Sequence, residues 1–210
     1  MLKNAGKIVS TLKKEYGIEF FRGKTTPFKV LISCILSLRT KDEVTYNSAR
    51  KLFKLAKNPK EMLKLSKEKI AKTIYPVGFY KKKAETILKV SKQIIERYGS
   101  KVPSKMEELL KLNGVGRKTA NVVLLYGFKK NALPIDTHCH RIANRIGWVK
   151  TKTPEETEKE LRKILPKKYW REINELFVKH GQKICRPISP ICSKCKIRKY
   201  CKRKGVKKSR

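Results

Sequence analysis

The chain is short of acid. Its 210 residues hold 17 Asp and Glu against 54 Lys and Arg, a formal charge of +37. After Glu175 there is no acidic residue at all, while Lys and Arg continue to Arg210. Between Leu109 and Pro154 a single carboxylate, Asp136, stands among nine Lys or Arg. Such a field attracts polyanions, and nucleic acid leads because phosphate contacts and counterion release reward this balance. Glutamine is nearly missing, with only Gln93 and Gln182. A Lys-rich, Gln-poor chain also suits a heat-loving source. That bias explains part of the excess but not its concentration in the middle and the C-terminal end.

Long apolar runs are missing too. A membrane span needs roughly 18 or more consecutive apolar residues; Val30 to Leu38 is too short and contains Ser33 and Ser37. Met1 to Ser10 lacks the apolar core of a signal peptide. The reading is a soluble intracellular, cytoplasmic protein with no membrane partner. No alternating segment closed by a hairpin turn argues for a sheet. The 40% hydrophobic content still suffices for a core, in one domain or two small ones.

What is present is helical. Thr40-x-x-Glu43, Ser104-x-x-Glu107 and Thr153-x-x-Glu156 read as capping boxes, and Asn58-Pro59 and Thr153-Pro154 as helix starts. Gly78, Gly99, Gly127, Gly147 and Gly181 read as stops. Segments 27–39 and 119–128 are apolar almost all round and predict buried helices; segments 42–56, 81–97 and 154–165 are amphipathic with Lys-rich outer faces. About ten short helices result, with a break near Lys129 to Pro134 and a tail, Lys202 to Arg210, that frays.

Three constellations carry chemistry. Cys185, Cys192, Cys195 and Cys201 follow a C-x6-C-x2-C-x5-C spacing. Four thiols this close in a reducing compartment bind metal, and spacing alone leaves zinc and an iron–sulfur cluster equally open. Cys34 reads as core packing. The segment Leu112 to Lys118, LNGVGRK, joins two helices through a tight glycine hairpin. Gly114 and Gly116 let the backbone approach a partner closely, and Arg117 beside the next helix N-terminus suits phosphate; the alternative is a plain helix–helix turn. Lys118 sits beside Arg117 in a positive field that favours the free amine as a nucleophile. Asp136 is its candidate proton partner; the alternative is an N-cap for the helix that follows.

Together these residues resemble the endonuclease III family of helix-hairpin-helix DNA glycosylases. LNGVGRKTAN at 112–121 is similar to the family hairpin, Ile135-Asp136-Thr137-His138 to its V/I-D-T-H, and the cysteine spacing to its [4Fe–4S] loop. Val77 to Ala84 and Ile35 to Asp42 align with two further family segments, and the likeness spans residues 8 to 201. The resemblance implies an all-α, two-domain fold. A six-helix barrel covers 20–130, and residues 1–19 and 131–210 form the cluster domain, with DNA across the cleft between them.

It also implies a monomeric bifunctional glycosylase and abasic-site lyase acting on oxidised pyrimidines in double-stranded DNA. Lys118 and Asp136 are then catalytic, and one structural [4Fe–4S] cluster sits on the four cysteines. Gly114, Gly116 and Arg117 meet phosphate, and Lys194 lies in a basic loop against the backbone. Phe79 corresponds to the wedge, with core packing as its alternative, and His138 to a hydrogen-bonding residue. Arg39 stands where the family commonly has a gap-filling Gln, which leaves opposite-base preference open. Two rivals remain: a non-catalytic DNA-binding protein with structural zinc, and a water-using mismatch glycosylase of the same fold.

Overall fold

The computed structural model describes residues 2, 4–18 and 25–210. Eleven α-helices and no strand occur among the described residues. They are α1 (Ala5–Tyr16), α2 (Pro27–Ser37), α3 (Asp42–Leu55), α4 (Pro59–Leu63), α5 (Lys67–Ile74), α6 (Tyr80–Tyr98), α7 (Met106–Leu109), α8 (Arg117–Val122), α9 (Thr137–Ile146), α10 (Pro154–Ile164) and α11 (Trp170–Lys183). The chain is all-α, as its pattern requires. None of the described helices is long and apolar enough to cross a membrane.

Two compact units form: Gly23–Lys130, and Met1–Arg22 with Asn131–Arg210. The expected boundary between residues 19 and 20 lies outside the described residues. In the central unit α2 is enclosed on nearly every side, burying Phe28, Val30, Leu31, Ile32, Cys34, Ile35 and Leu36. A helix apolar all round has no face to give to water. It packs on α3, α6 and α8. The long helix α6 turns Ala84, Ile87, Val90 and Ile94 inward and ends at Gly99, φ 56°. Each fully enclosed Leu or Ile, such as Leu31 or Ile87, stabilises the fold by about 1.5–3 kcal/mol. Helix α8 runs on into a π-helical turn, Val123–Gly127. Gly127 lies so close to Pro27 that a Cβ there would sit 2.8 Å from Pro27 Cα.

The other unit packs α1, α9, α10 and α11 around Ile8, Leu12, Leu133, Ile142, Leu161, Leu176 and Phe177. Thr153 caps α10 by accepting from Glu156 N at 3.1 Å. Asn58 does the same for α4, and Glu61 reaches back to Lys57 N.

Four local expectations fail, each to a tertiary contact. Helices α3 and α7 begin after Lys41 and Lys105 with no side-chain cap. The Thr40 hydroxyl accepts from Gly78 N instead, and Ser104 takes the Lys130 ammonium. Gly181 lies inside α11 and stops nothing; a Cβ there would run into the His138 ring and sit 2.9 Å from Arg141 Nη2. The tail does not fray. Lys202 N donates to Ile146 O and Lys204 N to Arg145 O, while Arg210 pairs its backbone with Pro190 O and Ser193 N.

Candidate functional site

The glycine hairpin is built as its sequence suggests. Gly114 takes φ 73°, and a Cβ there would meet Thr86 Cγ2 at 2.7 Å. Leu112 and Val115 anchor the turn in the core, and Val115 N donates to Leu112 O at 3.2 Å. Asn113 N donates to Gln93 Oε1 at 2.7 Å. Gly116 is the N-cap of α8, with a negative φ and nothing within 4 Å of an added Cβ. Among the described residues nothing demands glycine at 116, and its backbone stands in open space. Arg117 and Lys118 occupy the first turn of α8 and are exposed. The Lys118 ammonium lies near enough to act electrostatically on the Cys34 thiol, which burial pushes up to about 12 against that influence.

Asp136 belongs to the other unit. It is the N-cap of α9, where Oδ1 accepts from Cys139 N at 2.8 Å. Among the described residues its second oxygen, Oδ2, takes no hydrogen bond. The cap thus uses one oxygen, and the carboxylate also acts electrostatically on Arg141. His138, two residues on, is half-buried; Arg141 Nη2 donates to its Nδ1 at 3.0 Å.

Arg39 and Phe79 come together on neighbouring turns of the central unit. The Arg39 guanidinium stands 5.8 Å from the Phe79 ring centroid. Phe79 is 62% exposed, so it is no core residue. Both are left-handed, at φ 52° and 58°, a conformation uncommon for non-glycine residues.

The four cysteines line one pocket with Ile142, Ile146, Ile184, Ile191 and Val206. Burial pushes the Cys195 thiol up to about 11, with neighbouring thiolates adding to it, and burial raises Cys201 likewise. Buried thiols that resist ionising, Cys195 and Cys201, suit a cationic guest. Arg145, 9% exposed, donates to Cys185 Sγ at 3.3 Å and to the Arg186 and Pro187 carbonyls at 2.6 and 2.7 Å. His180 Nε2 stands 3.6 Å from Cys195 Sγ, and Tyr16 OH hydrogen-bonds its Nδ1 at 3.0 Å. Burial holds His180 down at about 4, keeping it neutral. Among the described residues no three Cys, His, Asp or Glu converge on one ion-sized point. Lys194 is exposed in the turn Cys192–Lys194.

Sequence reasoning missed Lys83, Arg145 and His180. One signal existed for Lys83: positions 83, 87, 90 and 94 share a helical face, and the other three are apolar.

Two helices joined by a glycine hairpin, with a cysteine-lined centre in a second unit, define a helix-hairpin-helix protein. Residues 32–167 match the HhH-GPD superfamily of base excision DNA repair proteins. Endonuclease III of Thermotoga maritima is 51% identical over 178 residues, 85% of this chain and 84% of that one. A solved trapped endonuclease III–DNA covalent intermediate with an estranged adenine is 30% identical, with a TM-score of 0.83 and 97% of each chain covered. A thermostable thymine-DNA glycosylase is 28% identical, with a TM-score of 0.82, covering 93% of this chain and 94% of its own. The chain belongs to the endonuclease III family.

Proposed function

We propose that this protein is a bifunctional base-excision enzyme that removes oxidised pyrimidines from double-stranded DNA and cuts the strand 3′ to the abasic site. The observation that carries the reading is Lys118, exposed in the first turn of α8 directly after the open backbone of Gly116. Neutral Lys118 Nζ bonds to the sugar C1′ as the bond from C1′ to the base breaks, and the base leaves with the electron pair and gains a proton. The opened sugar stays on Nζ as an imine. Loss of a C2′ proton then expels the 3′ phosphate. Asp136 Oδ2 would move these protons and stabilise positive charge at the sugar. Gly114, Gly116 and Arg117 take phosphate, while Arg39, Phe79, His138 and Lys194 meet the duplex.

Cys185, Cys192, Cys195 and Cys201 would hold one [4Fe–4S] cluster. A pocket lined by all four cysteines, with apolar walls and donors from Arg145 and His180 beside the sulfurs, favours a cluster over one zinc. When bound, the cluster supplies structure to the basic loop Arg186 to Lys194 and no bond-breaking chemistry. The enzyme acts as a monomer in the intracellular compartment that holds the DNA.

The test is a thymine-glycol duplex with borohydride and no added base or heat. Wild type should cut the strand and yield a trapped protein–DNA adduct, whereas Lys118→Gln should bind abasic DNA without trapping. Efficient trapping by that variant refutes Lys118 as the nucleophile. Base release without strand cleavage by the wild type would indicate the water-using glycosylase.

A further inference from the structure

Helix α6 buries a cation on its apolar face. Lys83 is 7% exposed and lies beside Ala84 and Ile87. A buried ammonium is costly unless its protons find acceptors. Lys83 Nζ donates to Leu36 O at 2.7 Å, Leu38 O at 2.5 Å and Thr40 Oγ1 at 3.1 Å. All three acceptors are neutral, and all lie where α2 ends and the chain turns through Arg39. The Thr40 hydroxyl accepts in addition from Gly78 N at 3.2 Å. Gly78 is pressed so close that a Cβ would sit 2.8 Å from Arg39 O. One ammonium and one hydroxyl thus tie the turn at 38–40 to the turn at 77–79.

At the two tips stand Arg39 and Phe79, both left-handed and both exposed. Backbone of this kind persists only where the surroundings over-determine it. An apolar residue at 83 would serve the core as well as its neighbours do, but would leave the Leu36 and Leu38 carbonyls without these donors. Lys83 is therefore explained by what it holds. We infer that Lys83, through Thr40, is a positioning residue that fixes Arg39 and Phe79 as one rigid two-pronged wedge entering the duplex. The inference rests on the glycosylase reading above.

The test compares Thr40→Val, Thr40→Ser and Lys83→Met. Each variant cleaves a thymine-glycol duplex and a single-stranded abasic oligonucleotide, which needs no wedge. A 2-aminopurine beside the lesion reports unstacking on binding. In Thr40→Val and Lys83→Met the ratio of duplex to single-strand turnover should fall by at least about 10-fold, as for a misplaced positioning element. The 2-aminopurine signal should fall with it. Thr40→Ser keeps the hydroxyl and should restore both. Should Lys83→Met fail to fold, the two Thr40 variants decide alone. An unchanged ratio in Thr40→Val, or Thr40→Ser as impaired as Thr40→Val, overturns the inference. Failure of the wild type on both substrates instead sinks the enzyme reading, and the inference with it.

Discussion

Asp136 allows structure to be separated from chemistry, because its cap to the helix uses one oxygen only. Oδ1 caps α9 through Cys139 N at 2.8 Å. Asn is about as good an N-cap as Asp, so Asp136→Asn keeps that bond and loses the negative charge, which sits at the helix N-terminus and acts on Arg141, about 0.3–1 kcal/mol. Asp136→Ala loses the cap as well, roughly another 1 kcal/mol. For a chain of this size each kcal/mol lowers Tm by about 2–4 °C. Thermal unfolding should therefore show a small drop for Asn and a clearly larger one for Ala. Turnover should not follow that order. If Oδ2 moves protons at the sugar, both variants lose on the order of 10²-fold in single-turnover cleavage, which corresponds to about 2.7 kcal/mol. The stability loss in Asp136→Asn is too small to account for that. Near-normal cleavage by Asp136→Asn, with Asp136→Ala merely less stable, would refute the catalytic role and leave Asp136 a helix cap.

Three further outcomes are expected. Metal analysis should find about four iron and four sulfide per chain, and Cys192→Ala should lose the yellow-brown colour and unravel the C-terminal segment; stoichiometric zinc would overturn the cluster. Gly181→Ala forces a methyl onto His138 and Arg141 and should cost about 1–3 kcal/mol, read by thermal unfolding; unchanged melting would mean that the His138 ring moves aside freely. Burial holds Lys83 at about 8, down from 10.5. Between about pH 8 and 10.5 the native protein then carries fewer protons at this site than the unfolded chain, so stability gains as pH rises through that window. The stability of wild type relative to Lys83→Met should climb across it, and a flat difference would refute a depressed Lys83.

Much was legible in the residues alone, and the legible parts share a range. The caps at Asn58, Thr153 and Asp136 join a side chain to a backbone N–H three positions on, so local chemistry is enough to find them. The hairpin at Gly114 and Gly116 and the cysteine spacing are equally local, and the all-round apolar character of α2 forces its burial wherever the chain goes. The illegible parts depend on partners far off in sequence. Lys81, Lys82 and Lys83 are the same residue in a row, and only Lys83 is buried among them. Its acceptors lie 43 to 47 positions away. Thr40 has every mark of a capping residue, yet its hydroxyl serves Gly78, 38 positions on. Gly181 carries the mark of a helix stop, but the crowding of His138 and Arg141 is what requires it. Residue type and spacing settle which local bonds a chain can make. Which of them it keeps is settled by packing, because a buried charge or a crowded glycine has no meaning until its distant neighbours are in place.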